Sequence, residues 1–122
     1  MNRRALAEGR GRRSETLAAW ALRLKGYRIL SRRLKTPLGE IDMVAPPLFG
    51  PVGFIAVKDR ADAGAAALSV SPQQRTRIAR AANLYLGSRP DLMARGAQFD
   101  IIAIAPRCWP QHHADAWRAD DL

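Results

Sequence analysis

The segment GEIDMVAPPLFGPVGFIAVKDR, residues 39–60, constrains the fold more than any other part of the chain. It holds two short apolar runs, EIDMVA and VGFIAVK, separated by the proline-rich loop PPLFGP. Proline cannot donate to a ladder and stops each run, so the pattern predicts two strands, with Pro51 and Gly53 at the entry to the second. Side chains two apart in a strand share a face. Glu40 and Asp42 therefore point the same way, as do Phe54, Ala56 and Lys58. If the strands pair as a hairpin around the loop, Asp42 and Lys58 lie side by side at one sheet edge.

The rest of the chain supplies helices to cover such a sheet. Positions 14–25, SETLAAWALRLK, read as a helix with Ser14 as cap, Leu17, Ala18, Ala21, Leu22 and Leu24 as the apolar stripe, and Gly26 as terminator. YRILSRRL, 27–34, has strand character with basic residues on its exposed side. Residues 61–67 read as a loop. Ser71, Pro72 and Gln74 form a capping box with proline in the first turn. The helix they start carries Ile78, Ala81, Ala82, Tyr85 and Leu86 on one side and closes at Gly87. QFDIIAIAP, 98–106, reads as a buried strand. The order predicts an α/β fold, a short mixed sheet flanked by helices. We read 1–122 as one domain, with a basic arm at 1–10 and an irregular tail at 107–122.

Charge narrows the partners. Residues 1–35 hold eleven Lys or Arg against two acids, while the remainder balances, so the whole net charge of +9 lies in the first 35 residues. Such asymmetry suits a polyanion-binding face, and arginine, which outnumbers lysine seventeen to three, suits phosphate. Nucleic acid is the expected partner, with Arg10, Arg12, Arg13, Arg32 and Arg33 as contacts. A solvated basic arm is the plainer alternative. A membrane is not expected: no apolar run approaches the ~18 residues of a span, and an anionic lipid surface would want a bulky apolar face beside the charge. Cys108 is the only cysteine, which fits a reducing, cytoplasmic setting and excludes a cysteine-built zinc site.

An aspartate beside a lysine at a bent sheet edge suits phosphodiester hydrolysis. The carboxylate holds Mg²⁺ against the phosphate, and the lysine orients water or offsets developing charge. Spacing alone favours the plainer reading, a structural ion pair at a strand end. Several other residues also carry two readings. Glu15 is either a first-turn carboxylate or a site acid. Gln74 is a cap or a phosphate contact. Arg75, Arg77 and Arg80 are a solvated face or a phosphate-facing helix start. Asp100 reads as strand structure, and His112 and His113 as part of the tail rather than a metal site.

In order, Glu15 in the first helix, GEID at 39–42 and AVK at 56–58 resemble the PD-(D/E)XK nuclease superfamily, and the SPQQRTRIARAANLYL helix and FDIIAI follow them in the order of a narrower family. More closely, residues 9–105 resemble the bacterial YraN-type proteins, related to archaeal Holliday-junction resolvases. The resemblance implies a restriction-endonuclease-like fold and a Mg²⁺-dependent endonuclease site, with metal at Asp42 and the Val57 carbonyl, lysine at Lys58 and a supporting acid at Glu15. The family's strand motif reads acid, apolar residue, lysine, and here the acid is replaced by Ala56. Glu40, two residues from Asp42 on the same face, and Asp59, on the other, are the available replacements. The expectation is a protein that binds duplex or branched DNA with cleavage weakened or lost. The alternatives are an active endonuclease with a migrated acid, and a basic adaptor for an acidic protein.

Overall fold

In a computed structural model describing residues 3–59 and 70–119, with side chains from residue 13 onward, the order is α1 (Arg3–Leu24), β1 (Ser31–Thr36), β2 (Gly39–Ala45), β3 (Val52–Asp59), α2 (Pro72–Gly87), a short α3 (Pro90–Met93), β4 (Ala97–Ile104) and β5 (Gln111–Trp117). The strands form one sheet in sequence order. β3 and β4 run parallel and every other neighbouring pair is antiparallel. This is the α/β fold expected, a mixed sheet between helices, compatible with a restriction-endonuclease-like fold. The loop expected at 61–67 lies outside the described residues.

Alternation in the strands sorts the core into two layers. Phe54, Ala56, Phe99 and Ile101 pack against Ala79, Ala81, Ala82 and Leu86 of α2. Met43, Ala45, Ile55, Ile102 and Ile104 pack against Ala18, Ala19 and Leu22 of α1 on the other face. The small residues of α1 let it lie close to the sheet. α2 is started by the expected capping box: Ser71 Oγ accepts the Gln74 N–H (3.2 Å), and Gln74 Oε1 accepts the Ser71 N–H (3.2 Å). Gly39 lets α2 approach the start of β2, since a Cβ there would come within 3.0 Å of the Arg77 carbonyl oxygen.

Four local expectations are corrected. The first helix does not begin at Ser14 but continues back to Arg3, so 3–10 is helix rather than arm. Gly9 and Gly11 each cost about 1 kcal/mol relative to alanine, which the good helix formers around them absorb. Ser14 is buried within α1, and its hydroxyl donates to Asp59 (2.9 Å). Leu17 and Leu24 do not join the core but face outward. The tail is not irregular throughout, because Gln111–Trp117 forms the edge strand β5.

β5 is fixed by contacts distant in sequence. Asp100 on β4, 1% exposed, accepts hydrogen bonds from Gln98 Nε2 (3.1 Å), the Asp115 N–H (2.9 Å) and His112 Nε2 (2.7 Å). Lys25 Nζ, which can only donate, lies 3.1 Å from His112 Nδ1, so the ring proton is assigned to Nε2. Phe99 and Trp117 stack with ring centroids 4.2 Å apart. The chain Lys25–His112–Asp100 thus ties the end of α1 to the last two strands.

Candidate functional site

The β2–β3 ladder pairs Met43 with Ile55, Val44 with Phe54 and Ala45 with Gly53. At the next level a side chain takes over: Asp42 Oδ2 accepts the Val57 N–H at 2.8 Å. The strands part here and α2 closes over the gap. The result is a cleft of about 210 Å³ lined by Glu40, Asp42, Ala56 and Lys58 from the sheet and Gln74 and Arg77 from α2, with Val70 and Ile78 at its apolar side. The strand arithmetic therefore brings Glu40, Asp42 and Lys58 to one place, though between two interior strands rather than at a sheet edge.

Electrostatics in the cleft are opposed. Burial, above all, pushes the Asp42 carboxyl above its ordinary pKa. The Val57 hydrogen bond works against this, the charges of Glu15 and Glu40 add to it, and Lys58 opposes it. Among the described residues no ion pair joins Lys58 to Asp42.

Glu15 approaches from α1 closely enough for Asp42 to feel its charge, yet it is not among the residues lining the cleft. Its carboxylate accepts two hydrogen bonds from Arg33 Nε (2.9 and 3.1 Å), with Arg32 3.9 Å away. Arg33 sits opposite Asp42, where the β1–β2 ladder is interrupted, and has a left-handed backbone (φ 55°). That turn carries its guanidinium to Glu15.

The expected nucleic-acid contacts are dispersed. The side chains of Arg10 and Arg12 lie outside the described residues. Arg13 and Arg32 are exposed, the latter donating to Thr16 Oγ1 (3.0 Å). Arg33 is committed to Glu15. Gln74 caps its helix and also reaches the cleft. Arg75 turns away from the cleft: its Nε donates to the Val70 carbonyl (3.0 Å), and its guanidinium lies 5.9 Å from the Trp117 ring centroid. Its neighbour Arg77 lines the cleft instead. The sequence signal for it was the i, i+3 spacing from Gln74, which places both on one face of α2.

The donor set does not fit Mg²⁺ as the resemblance implies. Octahedral coordination wants carboxylate and carbonyl oxygens converging on one point. Ala56 offers only a methyl group, one Asp42 oxygen is engaged by Val57, and Glu15 is held by Arg33. Among the described residues no three His, Cys, Asp or Glu side chains converge as a metal-holding group. Position 56 is also 7% exposed, so it is not the solvent-facing place that a longer side chain would occupy freely.

Comparison with known proteins supplies the lineage. Residues 14–104 match the family described as "Uncharacterised protein family UPF0102". The chain belongs to UPF0102. This agrees with the resemblance to YraN-type proteins. The UPF0102 protein of Parvibaculum lavamentivorans is 48% identical over 108 residues, covering 88% of this chain and 80% of that one. The UPF0102 protein of Chelativorans sp. is 45% identical and covers 95% and 93% of the two chains. A third, from Paramagnetospirillum magneticum, is 46% identical over 118 residues. The UPF0102 match begins at Ser14 and takes in Glu15, the Asp42–Lys58 cleft, α2 and β4, and it ends before β5.

Proposed function

We propose that this chain binds duplex or branched DNA through its basic N-terminal third, and that phosphodiester cleavage is weak or lost. The observation that carries the reading is the confinement of the whole net charge of +9 to residues 1–35. The cleft itself holds Lys58 and Arg77 beside two acids, Glu40 and Asp42, so it adds no formal net charge to that basic third. The donor set around Ala56 gives no support for a tightly held metal there, so binding is the activity that remains.

A fluorescence-anisotropy titration with duplex, forked and four-way DNA over a salt series tests this. Each neutralised phosphate releases counterions, and log affinity should fall by about 0.9 per contact per log unit of salt. Charge reversal at Arg13 and Arg32 should weaken binding on all sequences alike. Affinity that is flat with salt would remove the reading.

A second reading, an endonuclease with a migrated acid, is favoured by one observation: Glu40 lines the same cleft as Asp42. Cleavage with Mg²⁺ or Mn²⁺ by the unaltered chain, abolished by both Glu40→Gln and Asp42→Asn, would establish it.

A further inference from the structure

α1 carries apolar residues on both sides. Ala18, Ala19 and Leu22 are spent on the sheet, yet Leu17, Trp20 and Leu24, at i, i+3 and i+7, face away from it at 50%, 58% and 71% exposure. A second exposed apolar pair lies beside the end of the helix. Leu48 in the β2–β3 loop packs 3.3 Å from where a Gly26 Cβ would stand, and the Arg28 N–H donates to the Pro46 carbonyl (3.0 Å), which brings that loop beside the end of α1. Leu48 and Phe49 are 72% and 90% exposed.

The surroundings are cationic. Arg23, Lys25 and Arg28 are exposed here, and the Arg23 guanidinium lies 5.3 Å from the Trp20 ring centroid. Between residues 13 and 30 the only acid is Glu15, which is buried and held by Arg33. Docking of a second copy on this stripe would oppose like charges across a symmetric contact. DNA offers phosphate but little to cover three large apolar side chains. An anionic lipid surface offers both an acyl boundary for Leu and Trp and headgroups for Arg and Lys.

We propose that the outward face of α1, with Leu48 and Phe49, docks on anionic membrane surfaces. The bulky apolar face that the sequence did not reveal is present because Leu17 and Leu24 turn outward. α2 and the Asp42–Lys58 cleft lie on the opposite face of the sheet, so they stay open while α1 is docked.

The test is co-sedimentation of the full chain with vesicles of phosphatidylglycerol and phosphatidylcholine, against phosphatidylcholine alone. Binding to the anionic vesicles alone is expected. It should fall at least about tenfold in Trp20→Ser/Leu24→Ser and in Leu48→Ser/Phe49→Ser, since each pair removes two inserted apolar side chains. Melting temperature and DNA affinity should stay unchanged in the loop pair, whose side chains are mostly in solvent. No binding to anionic vesicles, or equal binding by the loop pair, overturns the proposal. So does a parallel loss of DNA affinity, which would assign the stripe to nucleic acid. A dimer seen by sedimentation velocity and abolished by the same substitutions would assign it to a second copy.

Discussion

Replacing Asp42 separates a buried polar anchor from a metal ligand. Asp42→Ala deletes the acceptor of the Val57 N–H and leaves that donor unpaired at a half-buried position, a cost of about 1–3 kcal/mol. For a chain of this length the unfolding entropy is about 0.26 kcal/mol/K, so each kcal/mol moves Tm by about 4 °C. Asp42→Ala should therefore lower Tm by about 4–12 °C. Asp42→Asn behaves differently. Its amide oxygen can accept the same N–H, and it removes a carboxylate whose charged form is disfavoured by burial and by Glu15 and Glu40. At pH 7 its Tm should equal or exceed that of the unaltered chain.

The pH dependence has a fixed sign. A carboxyl whose folded pKa lies above its unfolded value, near 3.8, contributes stability that is complete below 3.8 and is lost as pH rises through the folded value. The advantage of Asp42→Asn should thus shrink as pH falls from 7 towards 4. Circular-dichroism melts of the three proteins across this range, with and without millimolar Mg²⁺, provide the assay. An Asp42→Asn protein that melts as low as Asp42→Ala at pH 7 would refute the reasoning. A Mg²⁺-dependent rise in the Tm of the unaltered chain, absent in Asp42→Asn, would refute the misfit of the metal.

Three further outcomes are expected. Asp100→Ala orphans two donors, the buried His112 Nε2–H and the Asp115 N–H, costing about 1–3 kcal/mol each and lowering Tm by about 8–24 °C in a thermal melt. Arg33→Ala leaves the buried Glu15 without its charge-assisted hydrogen bonds, a loss of about 1.5–3 kcal/mol that Glu15→Gln in the same chain should partly restore; denaturant melts of the single and double variants measure it. Ala56→Glu crowds a third carboxylate against Asp42 and Glu40, so Tm should fall without divalent ions and recover on adding Mg²⁺ or Mn²⁺, with cleavage assayed in parallel.

What the sequence disclosed was mostly local. The Ser71–Gln74 capping box lies within four residues, and the β2–β3 hairpin needs only a proline loop and period-two alternation. These put Glu40, Asp42 and Lys58 together correctly. Residues 111–117 hid because QHHADAW lacks a β-branched run, and it pairs through Asp100–His112 and Phe99–Trp117, contacts that no local window contains. Ser14 read as a cap because its partner Asp59 is 45 positions away. α1 defeated periodicity differently: with apolar residues on opposite sides, helical spacing could not tell which stripe meets the sheet. The site's acids were visible as residue types, but the commitment of Glu15 to Arg33 follows from one left-handed residue in β1, which no composition signals.

The parallel contact between β3 and β4 has a consequence for how the chain assembles. β1, β2 and β3 are joined by short loops and can associate from neighbouring segments, whereas pairs such as Val52 with Ala97 must await closure of the long crossover through α2 and α3. Until β4 arrives, the edge of β3 presents an unpaired row of backbone donors and acceptors flanked by Val52, Phe54 and Ile55. Such an edge accepts a strand from another molecule as readily as its own. Refolding at high concentration should then divert chains into aggregates at a rate set by how long that crossover stays open, whatever the stability of the finished fold.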